Sequence, residues 1–184
     1  MIRVAIFGPE STGKTQLAEK LAGHFKAPLV AEYAREFWDR HGVITLEDIP
    51  AIAREQWRRE DEAAALLCQG VEGQAAAARL LICDTEALTT VLWSYLLYGT
   101  CPEDIRRGAG KRAKGYALYL LLDIDVPFTP DPQRCFPEQA DREKCMRVWR
   151  GALERRHLPF VEIHGDWTQR ERQAIEAVTR LLSS

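Results

Sequence analysis

The sequence has no apolar run approaching ~18 residues, so no membrane-spanning helix is expected. Its cysteines are few and unorganised. The five, at 68, 83, 101, 135 and 145, form no close pair, and an odd number argues against a disulfide framework. The four histidines (24, 41, 157 and 164) stand apart, and none makes a metal-spaced pair with a cysteine. Cys135 and Cys145 lack a second pair, which excludes the usual zinc spacings. There is no G-x-S-x-G, the mark of one large class of serine hydrolases. Charge of a single sign is also missing. The 25 Lys+Arg and 27 Asp+Glu leave a formal charge of −2, so neither a nucleic-acid glove nor an anionic-membrane binder is expected. The one local excess is 103–114, EDIRRGAGKRAK, with five basic residues against two acidic. The start, MIRVAIFGPE, is too short an apolar run for a signal peptide, and a cytoplasmic location is the expectation.

What is present is ordinary globular composition: 184 residues, 46% hydrophobic and 28% charged, the length of one domain with a full core. Short β-branched or leucine-rich runs at 2–7, 28–31, 80–83, 117–123 and 159–163 read as strands. Between them lie helical patterns: 16–25 with Leu17, Leu21 and Phe25 in phase, 32–42, 46–68, 85–99, 138–156 and 168–182. Thr45 or Asp48 is placed to cap the long third pattern, and Pro50 suits its first turn. The Ala-rich tract at 75–78 reads as helix or helix end. Helices alternating with short buried strands predict an α/β domain, 1–184, around a parallel sheet.

Residues 8–15, Gly8-Pro9-Glu10-Ser11-Thr12-Gly13-Lys14-Thr15, match G-x-x-x-x-G-K-[ST] in full, after a strand and opening a helix. The glycines allow a tight loop whose N–H groups wrap phosphate oxygens. Lys14 supplies charge for the β- and γ-phosphates, and the Thr15 hydroxyl is suited to Mg²⁺. The motif points to a nucleoside triphosphate, and Gln16, the next residue of the helix, joins the expected ATP-binding set.

Ligands of an open parallel sheet gather at the carboxyl ends of its strands, where Glu32, Asp84 and Asp123 fall. Asp84 is placed to hold Mg²⁺ with Thr15, or to cap the next helix. Glu32 is placed to accept a hydroxyl proton or bind a sugar diol. Asp123 and Asp125 read as chain-bending residues. Arg35, three residues after Glu32, either binds a phosphate or pairs with Glu32. Tyr33, Phe37, Trp38, Trp93 and Tyr98 are candidates for an aromatic wall against a flat base. A lid is expected at about 127–147, PFTPDPQRCFPEQADREKCMR, irregular at first and then helical. Arg134 and Arg142 in it are candidates to close over the triphosphate, an arginine role worth about 10³–10⁵ in rate.

The stretches FGPESTGKTQLAEKLA, AEYAREFW, ICDTEALTTVLW, PFTPDPQR and LPFVEI together resemble the ribosylnicotinamide kinase domain of NadR-type NAD-salvage proteins. The resemblance runs from residue 2 to about 180. It implies a P-loop NTPase fold similar to thymidylate and nucleoside kinases, a three-layer αβα sandwich with strand order 2-3-1-4-5. It also implies ATP-dependent phosphorylation of nicotinamide riboside to nicotinamide mononucleotide, with Mg²⁺. On that reading Lys14, Glu32, Asp84 and Arg134 are catalytic, and Glu32, Tyr33, Arg35, Trp38, Asp84, Thr85 and Trp93 form the acceptor side. The partner is then a small nucleoside-like molecule. Two rival readings are another nucleoside or nucleoside-monophosphate kinase, and an ATP-binding regulatory module. Two departures are visible: no H-x-G-H motif of an adenylyltransferase occurs, and the family's Asp-Gly-x-Arg lid reads Asp131-Pro132-Gln133-Arg134. Proline there stiffens the turn.

Overall fold

The structure, a computed structural model, describes residues 1–69 and 79–183. Five parallel strands form one sheet in the order β2-β3-β1-β4-β5. They are β1 (Ile2–Phe7), β2 (Leu29–Val30), β3 (Leu80–Asp84), β4 (Leu118–Leu122) and β5 (Phe160–Ile163). The helices are α1 (Lys14–Phe25), α2 (Tyr33–His41), α3 (Ile49–Gln69), α4 (Ala87–Tyr98), α5 (Glu103–Arg112), α6 (Gln139–Glu154) and α7 (Trp167–Leu182). The strands' period of two sorts their side chains into two cores. Ala5, Phe7, Leu81, Cys83, Tyr119 and Leu121 pack toward α3–α6, while Val4, Ile6, Leu80, Ile82, Leu120 and Leu122 pack toward α1 and α7. This is the expected three-layer sandwich. Among the described residues no helix is long and apolar enough to cross a membrane.

The elements differ from the sequence reading mainly at their ends. β2 is two residues rather than four, because Pro28 has no N–H to donate and contributes only its carbonyl, to the Ile82 N–H at 3.0 Å. Helix α1 starts inside the phosphate-loop motif, at Lys14. The third helical pattern opens with a short 3₁₀ turn, Leu46–Asp48, in which the Asp48 carboxylate accepts from the Thr45 N–H at 2.8 Å; Pro50 then sits in the first turn of α3. The basic stretch 103–114, read only as a charge excess, is α5 with its 3₁₀ continuation. Its charge is largely paired: Arg106 and Arg107 with Glu103, Arg112 with Asp61. The tract 75–78 lies outside the described residues.

Strand order decides where the site lies. The chain leaves β1 toward β2 on one side, and leaves β3 for β4 on the other, so the switch point falls between β1 and β3. Their register, Ile6 opposite Asp84, brings the loop after β1 against the last residue of β3.

Candidate functional site

A cleft of about 690 Å³ opens at that switch point. Its floor is the loop Gly8–Thr15. Gly13 holds φ 81°, and a Cβ there would lie 2.4 Å from the Trp167 ring, so the position needs glycine twice over. The Thr12 hydroxyl and the Lys14 ammonium donate to the Pro9 carbonyl, at 2.9 and 2.7 Å. Burial pulls the Lys14 ammonium below its usual pKa, opposed by the negative fields of Glu32, Asp84 and Glu10. Gly8 and Pro9 are buried under the loop and shape it, whereas Glu10 through Gln16 line the cleft.

The Thr15 hydroxyl donates to Asp84 Oδ2 at 2.6 Å. Asp84 is 2% exposed, and its other oxygen is buried without a hydrogen-bond partner. Desolvation raises its pKa, moderated by the Thr15 bond and Lys14. A hydroxyl beside an under-satisfied buried carboxylate is a hard-oxygen donor pair that fits Mg²⁺, which typically takes one or two protein oxygens plus phosphates and waters. Asp84 does not cap α4. That role belongs to Glu86, which accepts from the Leu88 N–H at 2.8 Å.

Glu32 precedes α2 and lines the cleft. The protein around it desolvates the carboxyl and pushes its pKa up to about 7, with Lys14 and Arg35 pulling down and Asp84 pushing up. Helix α2 is anchored from behind: the Tyr33 N–H donates to Gln56 Oε1 at 2.9 Å, and the Gln56 amide meets Glu60 at 3.4 Å. Tyr116 closes this buried chain, donating to Glu60 at 2.5 Å.

Beyond Glu32 the cleft wall turns apolar and aromatic: Trp38, Val43, Ile44, Ile49, Ile52, Trp93, Leu97 and Tyr98, with Thr89 and Thr90. Three of the five aromatic candidates are there. Two are not: the Tyr33 ring lies under Arg59, 4.4 Å from its guanidinium carbon, and Phe37 stacks on His41 at 4.1 Å. Thr85 is likewise not on the wall; it is 3% exposed, with φ 68° and its N–H bound to the Ile6 carbonyl. The Tyr98 hydroxyl is committed to the Ile44 carbonyl at 2.6 Å.

The segment expected to form a lid is irregular up to α6 and docks on the loop after β1. The Thr129 N–H donates to Ser11 Oγ at 2.8 Å, and the Cys135 and Phe136 N–H groups donate to Glu10 at 2.9 and 2.6 Å. Arg134 reaches the cleft, with Nη1 3.3 Å from Ser11 Oγ. Arg142 does not. It is 6% exposed and donates to the Val126 carbonyl at 2.9 Å, so it supports the lid's base rather than lining the cleft. Arg35 does not pair with Glu32; it binds Asp131 at 2.9 Å. Asp125 pairs with Arg170, in keeping with a chain-bending role.

Three contributors escaped the sequence reading. Trp167 lies on Gly13 while remaining 52% exposed beside the loop after β1. Arg170, 1% exposed, donates to the Thr12 carbonyl at 3.0 Å and braces that loop from below. Gln56 braces α2. The available signal was a polar residue on an apolar helical stripe: Ile49, Ile52, Ala53, Gln56 and Glu60 share one face, as do Arg170, Ala174, Ala177 and Val178.

Comparison with known proteins agrees with this fold. The AAA_28 family model, described as an AAA domain, matches residues 3–170. A search of curated proteins by sequence finds no match. Among solved structures, a NadR protein in complex with NR superposes with TM-score 0.74 at 22% identity, over 100% of this chain and 52% of that one. A NadR protein with NAD and AMP-PNP gives 0.72 at 21%, over 100% of this chain and 50% of that one. Deoxyadenosine kinase from M. mycoides with dATP gives 0.58 at 9%, over 97% of this chain and 100% of that one. The chain spans about half the length of the NadR structures it matches. The fold is that of the P-loop kinases.

Proposed function

The chain belongs to the AAA domain family, and from that premise we propose that it is an ATP-dependent kinase whose acceptor is nicotinamide riboside. The observation that carries this reading is the composition of one continuous cleft. Phosphate-binding groups (Lys14, Thr15 and the loop amides) occupy one end, an aromatic and apolar chamber the other, and Glu32 stands between them. A ribosyl hydroxyl held at Glu32 would meet the γ-phosphoryl, and an aromatic ring would enter the chamber. An aromatic lining of this kind favours a flat cation such as a pyridinium. Glu32 adds the negative field. Among the described residues lining the acceptor end, Arg35 is the one cation and is engaged by Asp131, which favours a nucleoside over a nucleoside monophosphate. The solved NadR complex with NR supports the choice of acceptor by likeness of fold.

Catalysis is then chiefly positioning and charge stabilisation. Lys14 and the loop N–H groups hold the β- and γ-phosphates. Thr15 and Asp84 would hold Mg²⁺, which when bound neutralises charge on the phosphate oxygens. Glu32 orients the acceptor hydroxyl and takes its proton, and Arg134 faces the transferring group from the lid. Trp167 offers a stacking face beside the loop for the donor base. The test is ADP release measured across nicotinamide riboside, common nucleosides and their monophosphates. The expected result is highest kcat/KM with nicotinamide riboside. A preference for a monophosphate would overturn the acceptor assignment, and ATP binding without turnover of any acceptor would favour a regulatory module.

A further inference from the structure

The lid touches the donor and acceptor sides through different residues. On the donor side Ser11 and Glu10 accept from Thr129, Cys135 and Phe136 amides. On the acceptor side the contact is Arg35 of α2, whose Nη1 donates to both oxygens of Asp131, at 2.9 and 3.1 Å. Asp131 in turn builds the turn that presents Arg134. Its Oδ1 accepts from the Gln133 N–H at 2.9 Å, and its carbonyl accepts from the Arg134 N–H at 2.9 Å. Arg35 also lines the cleft one helical turn after Glu32. One side chain therefore touches both the acceptor's space and the turn carrying the lid arginine.

We propose that Arg35 and Asp131 are positioning residues through which an acceptor seated against α2 sets the lid arginine, Arg134, over the transferring phosphoryl group. The inference rests on the kinase reading above, not on the identity of the acceptor. The pair is part-exposed, with 37% and 26% of the two side chains accessible, so its contribution to stability is small and its effect is on geometry. Pro132 stiffens the turn, so a shift at Asp131 is passed to Arg134 rather than absorbed. Coupling of this kind ties the setting of Arg134 to the seating of the acceptor.

The test is a double-mutant cycle with Arg35→Gln and Asp131→Asn, read with whichever acceptor the parent turns over fastest. Asparagine keeps an oxygen for the Gln133 N–H, so the turn survives while the charge is lost. Each single variant is expected to lower kcat by roughly 10–100-fold, the scale of a small misplacement of a catalytic group. ATP affinity and acceptor KM should stay within about threefold, and the double variant should be no worse than the poorer single. Amide hydrogen exchange at Arg134–Phe136, with a non-hydrolysable ATP analogue bound, should slow on adding acceptor in the parent but not in Asp131→Asn. Losses that multiply in the double variant would overturn the coupling, as would equal slowing of exchange in parent and Asp131→Asn. So would an Arg35→Gln defect confined to acceptor KM. Turnover of a different nucleoside would sink the nicotinamide riboside assignment and leave this cycle readable.

Discussion

Two carboxylates, Glu32 on the cleft wall and Asp84 buried at the end of β3, are held at a cost, and each makes a prediction. Glu32 has its pKa raised from its ordinary 4.5 to about 7, so the folded chain binds its proton more tightly than the unfolded one. Its contribution to stability is therefore complete below about pH 4.5, falls as pH rises toward 7, and changes little above that. Unfolding free energies measured across this range should show Glu32→Gln gaining on the parent as pH rises, while kcat drops by roughly 10²–10⁴. A constant stability difference between the two across that window would refute desolvation as the cause of the raised pKa. Asp84 is likewise raised by burial, and one of its oxygens has no partner. Asp84→Asn should leave thermal stability unchanged or higher at neutral pH and raise the Mg²⁺ needed for half-maximal activity by about tenfold or more. Loss of stability with normal Mg²⁺ dependence would mark the residue as structural.

On the proposed kinase reading the element that matters most for the acceptor is α2, which buries none of its residues fully and so depends on its neighbours for position. Gln56 supplies that hold through the Tyr33 N–H, one residue from Glu32. Gln56→Leu leaves the Tyr33 N–H without its partner, at a cost of about 1–3 kcal/mol. We expect kcat to fall by roughly tenfold as Glu32 loses alignment, with ATP affinity little changed. Unaltered kcat in a destabilised variant would confine Gln56 to a structural role. The helices and strands themselves were readable from periodicity. The partners of α2 were not, because a hydrogen bond between residues 23 apart in sequence leaves no local pattern.

At the scale of the whole molecule, the core on the lid side of the sheet continues into the cleft wall. Trp149, 0% exposed, lies 5.0 Å ring to ring from Trp93 and 6.3 Å from Phe7 of β1. Trp93 stacks at 5.9 Å on Phe136, in the irregular stretch before α6. Trp149→Ala should cost about 3–5 kcal/mol in urea unfolding, the usual range for a buried Trp. Trp149→Phe should cost less, because the phenyl ring refills much of the space that alanine leaves empty, while neither variant forfeits an indole hydrogen bond. A smaller loss for alanine than for phenylalanine would contradict this account of the packing.

The sequence alone determined the phosphate loop, since eight consecutive residues hold the whole motif and their chemistry is largely backbone. Alternation of strands and helices likewise determined a parallel α/β sheet, and strand ends placed Glu32 and Asp84 at its carboxyl edge, where the cleft opens. Tertiary structure decided what those residues face. Arg35 went to the lid rather than to Glu32, Arg142 went beneath the lid, and Tyr33 turned to Arg59. Trp167 and Arg170, more than 150 residues from the loop they support, entered the site only through the packing of α7 against α1. Long-range contacts of this kind depend on strand order and helix packing, and a side chain at a helical position carries no local mark of which neighbour it will meet.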